Sequence, residues 1–392
     1  MKLSERILKM EDSVTLAAAA RAKELASQGK DILSLTLGEP DFVTPKNIQD
    51  AAIQAISDGR ASFYTVASGL PALKEAICSY IEKFYGYSVE PKNVTVAAGA
   101  KYSLSTFFMS VLDPGDQVLI PTPYWVSYGD QVKLAEGVPV FVPALEENDF
   151  KVTVDQLEAA RTEKTKVLVL NSPSNPTGMI YTREELEAIG NWAVEKNILI
   201  LADDIYGRLV YNGNVFTPIS SISEAIRKQT VIINGVSKTY AMTGWRIGFA
   251  VGEPEMIAAM SKMAAQTTSN PSTVAQYAAI EALSGPQDSI ESMRQGFEER
   301  LNTIYPLLAQ VPGFEVRKPQ GAFYLFPNVK KAMEMKGYDD VTAFTNAILD
   351  QVGLALVTGA GFGAPENVRL SYATDMDSLK EAIRRLHDFM EN

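Results

Sequence analysis

The chain has 392 residues, of which 46% are hydrophobic and 21% are charged, as is typical of a globular protein with two or three domains. Its 36 basic and 47 acidic residues give a formal net charge of −11, which argues against nucleic acid or an anionic membrane as the main partner. A single cysteine and a single histidine exclude an internal disulfide and metal sites built from several thiolates or imidazoles, so no metal is expected.

The amino-terminal segment lacks the apolar core and the cleavage site of a signal peptide, and no apolar run approaches the ~18 residues of a membrane span. We therefore expect a cytoplasmic protein with no membrane partner. Helical periodicity predicts a helix over Ser13–Gly29, and a short strand over Ile32–Leu37 follows. Two further helices are predicted over Asn47–Asp58 and Pro71–Tyr85.

From about residue 94 onward, short apolar runs alternate with amphipathic stretches. The runs predict strands over Val94–Ala98, Gln117–Ile120, Lys166–Leu170, Ile198–Ala202, Val231–Asn234 and Arg246–Val251. The stretches between them predict helices over Lys101–Leu112, Arg183–Lys196 and Pro254–Ala264. Strands that are apolar on both faces and separated by helices indicate an α/β fold with a mostly parallel sheet, which binds ligands at the carboxyl ends of its strands.

The pattern changes again after Gly285. A long charged helix is predicted over Ser289–Leu308, and strands are predicted over Phe314–Val316, Ala322–Leu325 and Asn367–Ala373. This mixture indicates a second, smaller α+β domain.

Polar residues and glycines follow the predicted strands of the larger region. Gly99 closes the first of them and opens a helix, and the free N–H groups of such a turn suit a phosphate, with a plain tight turn as the alternative. Asn175 lies in a loop fixed by two prolines and a glycine, where it is either a rigid amide ligand or part of an ordinary turn.

Two strands end in ionisable groups. Asp203 follows an apolar strand, where a buried acid needs a cationic partner unless it caps a helix. Lys238 follows the next strand, and burial there would lower its pKa and make it a nucleophile or base, with a surface lysine as the alternative. Arg246 comes eight residues later. Because parallel strands end at one edge, these residues together predict a single site.

Seven short motifs in the chain, taken in order, resemble those of the class I/II aminotransferases of the aspartate aminotransferase superfamily, which are pyridoxal 5′-phosphate (PLP) enzymes. They are GEPDF, GAK, NPTG, DDIY, SKTYAMTGWRIG, GAFY and NVRLSYA. The resemblance implies a PLP-transferase fold with a large PLP-binding domain at residues 47–285. A small α+β domain built from both termini would comprise residues 1–46 and 286–392. It also implies a homodimer whose active site lies at the subunit interface.

The resemblance assigns catalytic roles to the strand-end residues. Lys238 would form the internal Schiff base with PLP and then move the proton of the substrate's α carbon. Asp203 would face the pyridine nitrogen and keep it protonated, so that the ring accepts electrons. Tyr206 resembles the phenol bonded to O3′ of the cofactor, and Asn175 its amide partner. Trp125 resembles the aromatic side chain stacked on the ring, and with Asn175 it would also border the substrate.

The same resemblance implies a phosphate site. Backbone groups at Gly99 and Ala100, the side chain of Ser237 and the guanidinium of Arg246 would hold the phosphate, since an arginine presents several fixed donors. Tyr64 resembles the tyrosine that reaches the phosphate of the neighbouring subunit.

The resemblance also implies a substrate site. Arg369 would bind the substrate α-carboxylate bidentately, facing the backbone amide of Gly38. Lys101 resembles the lysine that binds a side-chain carboxylate in one bacterial branch, although other branches place a phosphate-binding residue there. Ser13 and Thr15 resemble the amino-terminal segment that closes over the site in that branch.

These roles predict ping-pong transfer from L-aspartate to 2-oxoglutarate, giving oxaloacetate and L-glutamate. Aromatic amino acids or alanine as donors, and a PLP-dependent β-lyase, share almost all the motifs and remain alternatives. A more remote alternative is the effector-binding module of a transcription regulator. A dinucleotide site at Gly359–Gly363 is excluded because a strand follows it instead of a helix, and no GK[ST] motif of a P-loop is present.

Overall fold

The computed structural model describes residues 3–8, 10 and 14–391, which form an α/β structure. The strands are β1 (Leu33–Ser34), β2 (Val94–Ala97), β3 (Gln117–Thr122), β4 (Val138–Pro143), β5 (Thr165–Asn171), β6 (Leu199–Asp203), β7 (Thr230–Gly235), β8 (Gly248–Val251), β9 (Tyr324–Leu325), β10 (Leu354–Ala355), β11 (Val357–Thr358) and β12 (Val368–Ser371). The helices are α1 (Glu5–Leu8), α2 (Val14–Ser27), α3 (Lys46–Ser57), α4 (Pro71–Tyr85), α5 (Ala100–Val111), α6 (Ser127–Leu134), α7 (Val154–Ala160), α8 (Arg183–Glu195), α9 (Glu224–Lys228), α10 (Pro254–Ala265), α11 (Thr273–Ser284), α12 (Asp288–Leu308), α13 (Lys330–Lys336), α14 (Val341–Val352) and α15 (Met376–Glu391).

A seven-stranded sheet forms the centre, in the order β2-β8-β7-β6-β5-β3-β4. Five neighbouring strands, from β4 to β7, are parallel, whereas β8 is antiparallel to both β7 and β2. The carboxyl ends of β2, β3, β5, β6 and β7 therefore share one edge, and β8 begins at that same edge. The mostly parallel sheet expected from the sequence is confirmed.

Both faces of this sheet are covered by helices, as the apolar strands predict. Alternate residues of β5 belong to different cores: Val167 and Val169 pack with α5 and α10, whereas Leu168 and Leu170 pack with α7 and α8. This alternation explains why β5 has no polar face.

Local sequence sets the ends of several helices. Pro71 occupies the first turn of α4, and Gly86 ends that helix in the left-handed conformation. The hydroxyl of Thr182 accepts the Glu185 N–H at the start of α8, and the Glu185 carboxylate accepts the Thr182 N–H in return.

Several predicted strands are shorter in the structure, and three show larger differences from the sequence-based prediction. The predicted strand at Arg246–Val251 begins only at Gly248, because Arg246 has a positive φ of 57° that interrupts extended backbone. The prediction of a strand at Phe314–Val316 is wrong, since Glu315 forms only an isolated bridge to Asn328. The strand β4 was not predicted, because its two prolines and its exposed residues are typical of an edge strand.

Segments from both ends of the chain meet beside the large sheet. The two residues of β1, shorter than the predicted strand at Ile32–Leu37, pair in parallel with β10, and Leu33 lies opposite Leu354. Strands β11, β12 and β9 form an antiparallel sheet next to them. The domain boundaries that the sequence suggests, at residues 46 and 285, stay a prediction. No helix in the described ranges combines the length and apolar character needed to cross a membrane.

Candidate active site

A cavity of about 340 Å³ lies at the edge where the parallel strands end. Its walls come from the ends of β5 and β6, the turns after β2 and β7, the loop after β1, and strands β9 and β12. The predicted residues that line it are Gly38, Ala100, Lys101, Trp125, Asn175, Asp203, Tyr206, Ser237, Lys238, Arg246 and Arg369. The described residues contain no group of three or more side chains placed to hold a metal ion.

Lys238 follows Ser237 in the turn after β7. Its ammonium group donates a hydrogen bond to the carbonyl oxygen of Gly38. Burial lowers the pKa of Lys238 from 10.5 to about 8; the nearby carboxylate of Glu39 opposes this shift, and the positive charge of Arg369 adds to it. An amine with this pKa can release and accept a proton near neutral pH.

Asp203 is the last residue of β6 and is only 4% exposed. The Tyr128 hydroxyl donates to its Oδ2 at 2.6 Å, and the Ile205 N–H donates to its Oδ1 at 3.3 Å. Burial raises the pKa of Asp203 to about 6, although both hydrogen bonds and the charge of Lys238 oppose the shift. Within the described part of the chain, Asp203 forms no ion pair, so the cation expected beside it is not supplied by a described side chain.

A chain of amides connects the end of β5 to β12. The Asn171 side chain donates to the Asp203 carbonyl at 2.8 Å and accepts the Asn175 N–H at 2.8 Å. The Asn175 side-chain oxygen in turn accepts Nη1 of Arg369 at 3.0 Å, while Nη2 of Arg369 donates to the Thr36 carbonyl at 2.8 Å. Arg369 is therefore held in one orientation by two fixed acceptors.

Arg369 is 2% exposed and is surrounded by aromatic rings. Its guanidinium carbon lies 4.5 Å from the Tyr324 ring centre and 5.1 Å from that of Phe362. Its Nε has no hydrogen-bond partner among the described residues. Burial lowers the pKa of Arg369. A buried cation with a free donor is suited to bind an anion that enters the cavity.

Tyr206, three residues after Asp203, lies next to Tyr324, one of the aromatic side chains around Arg369. Its hydroxyl is 2.8 Å from that of Tyr324, and either can donate. Burial raises the pKa of Tyr206 well above its usual value, so the phenol stays protonated and remains a hydrogen-bond donor.

The turn after β2 and the start of β8 form a tight cradle. Gly99 has a φ of 89°, and a β-carbon there would collide with the Arg246 guanidinium. A β-carbon at Gly248 would likewise collide with the backbone of Ala100. Arg246 reaches this edge because β8 is antiparallel, and its Nη1 donates to the Thr243 carbonyl at 3.0 Å. The first N–H groups of α5 and the guanidinium thus meet where an anion fits.

Trp125 and Lys101 lie together on the open side of the cavity. The Lys101 ammonium is 4.8 Å from the centre of the Trp125 ring. Burial lowers the pKa of Lys101, and the charge of Arg246 lowers it further. The lysine is therefore a further cation in the cavity, carried by α5, whereas Arg369 belongs to β12.

Four predicted residues are not in the lining of the cavity, and one of them, Gly99, adjoins it in the turn before Ala100. Tyr64 is 91% exposed on a loop outside it. Ser13 lies outside the described residues, and Thr15 belongs to α2, where only its backbone is described. The same helix does bring Leu16 to the cavity mouth.

Lining residues that were not predicted from the sequence but hydrogen-bond to predicted ones include Thr36, Tyr128, Asn171 and Tyr324. Tyr128 follows Trp125 by one helical turn, and Tyr324 belongs to the GAFY motif, so both had a signal in the sequence. Thr36 had none, because it contributes only its carbonyl oxygen.

Over nearly its whole length, the chain is similar to proteins of known activity. The sequence model of the family described as aminotransferase class I and II matches residues 30–386. An asparagine–oxo-acid transaminase from Streptococcus mutans is 71% identical, covering 100% of this chain and 99% of that protein. An aspartate aminotransferase from Geobacillus stearothermophilus is 54% identical over 100% of this chain and 99% of its own length.

Solved structures agree with these sequence matches. The aspartate aminotransferase of Rhizobium meliloti has a TM-score of 0.96 at 37% identity, covering 100% of this chain and 99% of that one. That of Thermus thermophilus, solved with maleate, has a TM-score of 0.94 at 38% identity, covering 99% of this chain and 100% of that one. The fold predicted from the sequence is confirmed.

Proposed function

The chain belongs to the class I and II aminotransferases and depends on pyridoxal 5′-phosphate, and from this premise we propose that it transfers the amino group of L-aspartate to 2-oxoglutarate. The observation that carries the proposal is that two cations not assigned to the cofactor, Lys101 on α5 and Arg369 on β12, line the same cavity. The buried Arg369 suits the α-carboxylate shared by all amino acids, and Lys101 suits a second carboxylate. A donor with two carboxylates satisfies both cations.

The comparisons support two donors that differ only in the distal group. Relatives named aspartate aminotransferase are 54% and 51% identical, and the Thermus thermophilus structure was solved with maleate, a dicarboxylate. The 71% identical relative is named asparagine–oxo-acid transaminase, and this identity favours L-asparagine as a second candidate donor. An amide retains a carbonyl oxygen for the lysine but carries no charge.

The residues of the cavity fit the cofactor. We assign the phosphate to the backbone at Gly99 and Ala100, to Ser237 and to Arg246, where a side chain at Gly99 would fill the space. The pyridine nitrogen would face Asp203, the buried acid that has no cationic partner among the described side chains.

The groups around the ring are assigned in the same way. Trp125 would cover one face of the ring, and Tyr206 would donate to its O3′ oxygen beside Asn175. When bound, PLP supplies an aldehyde that holds the substrate amino group and a ring that withdraws electrons from the α carbon.

The chain's own groups perform the proton transfer. Lys238 removes the proton from the substrate's α carbon, because its pKa of about 8 lets the amine act as a base near neutral pH. Arg369 fixes the α-carboxylate while Asn175 and the Thr36 carbonyl hold the guanidinium, so the α carbon stays near the lysine. The second half-reaction, with a 2-oxo acid, uses the same groups in reverse.

A homodimer is part of the proposal. Phe63, Tyr64 and Val66 are 74%, 91% and 60% exposed, and Ile53 and Ile56 on α3 are also exposed. Several large apolar side chains exposed on one loop and the neighbouring helix are typical of a surface that a partner covers. We propose that a second copy covers it and receives Tyr64 near its phosphate site. A cytoplasmic location also stays a prediction.

A half-reaction screen tests the proposal. The purified holoenzyme is mixed with one amino acid at a time, and conversion of the cofactor from its aldehyde to its amine form is followed by absorbance. We expect aspartate or asparagine to react with a kcat/KM about 10- to 100-fold above that of alanine and phenylalanine, since a hydrogen bond to a charged group contributes roughly 1.5–3 kcal/mol. Equal rates for alanine would refute the dicarboxylate site, and release of ammonia with pyruvate would indicate a lyase.

The Lys101→Gln variant separates the two donors. The substitution should lower kcat/KM for aspartate about 10- to 100-fold and change that for alanine little, because only aspartate loses an ionic contact. Asparagine should lose less than aspartate, since its amide is neutral. Lys262→Gln, on the exposed side of α10, is the matched control. Equal losses for aspartate and alanine would remove the role of Lys101.

A further inference from the structure

A buried amide, that of Gln276, holds the exposed loop that carries Tyr64. Gln276 lies in α11 and is 0% exposed. Its Oε1 accepts the Leu70 N–H at 2.7 Å, and its Nε2 donates to the Thr65 hydroxyl at 3.1 Å and to the Pro271 carbonyl at 2.9 Å. The side chain is thus hydrogen-bonded through both of its ends, as a fully desolvated amide requires.

We call these hydrogen bonds of Gln276 the clamp, and neighbouring contacts add to it. The Thr273 hydroxyl, one helical turn before Gln276, donates to the Phe63 carbonyl at 2.7 Å. At the far end of the loop, the Val96 N–H donates to the Ser68 carbonyl at 3.0 Å. Gly69 has a φ of 98°, and a β-carbon there would lie 2.6 Å from Val96 Cγ2. The backbone from residue 63 to residue 70 is therefore fixed at both ends and in the middle.

The Tyr64 side chain, in contrast to the Thr65 hydroxyl, is not held by any of these hydrogen bonds. Tyr64 is 91% exposed and lies outside the cavity of its own subunit, although the loop backbone is pinned. The buried bonds therefore fix the chain on both sides of Tyr64 without burying its side chain. A rigid backbone that presents an exposed phenol is suited to a partner surface, because little ordering of the loop is needed on association.

We propose that Gln276 is a positioning residue that holds Tyr64 for the active site of the other subunit. The inference rests on the proposed homodimer, in which Tyr64 reaches the partner's phosphate site. Loss of the clamp should then weaken cofactor binding in the partner subunit and not in the subunit that carries the change.

The test uses Gln276→Glu, which keeps the shape and the acceptor for Leu70 but can no longer donate, so a carboxylate oxygen faces the Pro271 carbonyl and the Thr65 hydroxyl must donate in place of the amide. We expect the Kd for PLP of the variant dimer to rise about 10- to 100-fold, similar to that of Tyr64→Phe, since a hydrogen bond to a charged group has this size. Gln287→Glu is the matched control, because Gln287 also donates to two backbone carbonyls but lies away from the loop. Its Kd should be unchanged.

Hybrid dimers locate the effect. A Gln276→Glu subunit paired with a Lys238→Ala subunit should contain one site with an intact lysine and an intact clamp, and PLP should bind that site with the wild-type Kd. In the second hybrid, a wild-type subunit is paired with a subunit that carries both Gln276→Glu and Lys238→Ala. Its one lysine-containing site then faces the altered loop and should bind PLP about 10- to 100-fold more weakly. The opposite order of affinities would show that Gln276 acts within its own subunit and would overturn the inference.

The outcomes also separate this inference from the proposed function. If Tyr64→Phe weakens PLP binding but Gln276→Glu does not, the inference alone is wrong. If sedimentation shows a monomer, the proposed assembly and the inference both fail, whereas a different preferred donor leaves the Kd comparison unaffected. Should Gln276→Glu not fold, Thr65→Val removes one of the same bonds and should raise the Kd in the same direction; an unchanged Kd would overturn the inference.

Discussion

Replacing Asp203 with asparagine should stabilise the cofactor-free protein while weakening the holoenzyme. The Asp203 carboxyl has a folded-state pKa of about 6 instead of 3.8, mainly because burial disfavours its charge. Asparagine has nearly the same shape and can still accept the Tyr128 hydroxyl hydrogen bond. The variant therefore removes the cost of a buried charge without opening a cavity.

The magnitude follows from the pKa shift and depends on pH. Between pH 3.8 and about pH 6, the folded protein binds more protons at Asp203 than the unfolded chain does, so the free energy of unfolding falls as pH rises. At 1.36 kcal/mol per pKa unit, the free energy of unfolding of the wild-type protein is lower than its value below pH 3.8. The decrease is about 1.5 kcal/mol at pH 5 and about 3 kcal/mol at pH 8. The variant should avoid both losses.

Asp204, the neighbouring residue, adds to the effect in the same direction. Burial raises the pKa of Asp204 to about 8 despite a hydrogen bond from the Tyr85 hydroxyl, and the charge of Asp203 contributes to the shift. The asparagine of the variant would carry no charge, so Asp204 would ionise more easily and at a smaller cost to folding.

Urea denaturation of the apoprotein at about pH 5 and pH 8 measures the effect at a fixed protein concentration. The stability advantage of Asp203→Asn should grow by about 1.5 kcal/mol between the two values. Asp339→Asn, on the exposed surface, should show no such growth. With PLP bound, the order should reverse, because the variant lacks the charge that would face the pyridine nitrogen in the proposed assignment. An advantage that does not change with pH would refute the argument.

Three further substitutions test other parts of the site. Arg369→Lys keeps the charge but loses the planar, paired N–H donors of the guanidinium. Steady-state kinetics should therefore show the KM for the amino acid rising about 100-fold. Tyr128→Phe removes a hydrogen bond to ionised Asp203 and should raise the pKa of that carboxyl. When PLP affinity is measured against pH, the loss of affinity on the acid side should therefore occur about one pH unit higher; an unchanged curve would contradict the assigned contact. Gly99→Ala places a methyl group against Arg246 at a positive φ, so calorimetry should show about 1–3 kcal/mol of lost stability, and equilibrium dialysis should show weaker PLP binding.

The central elements and much of the candidate site are encoded in local sequence. Apolar runs with glycine, asparagine or an acid at their ends predict the parallel strands, because burial on both faces leaves a local pattern. For that reason Asp203 and Lys238 could be assigned to strand ends and to one edge before any contact was known. Both line the same cavity in the structure.

The side chains and carbonyl groups that contact those residues are determined by the three-dimensional fold. The hydrogen bond from Tyr128 to Asp203 spans 75 residues, and that from Arg369 to the Thr36 carbonyl spans 333. Arg246 reaches the site only because β8 runs antiparallel to its neighbours, and strand direction has no local signature in the sequence. Contacts of this kind depend on strand order and on the pairing of distant segments, which a periodic pattern of hydrophobic residues does not specify.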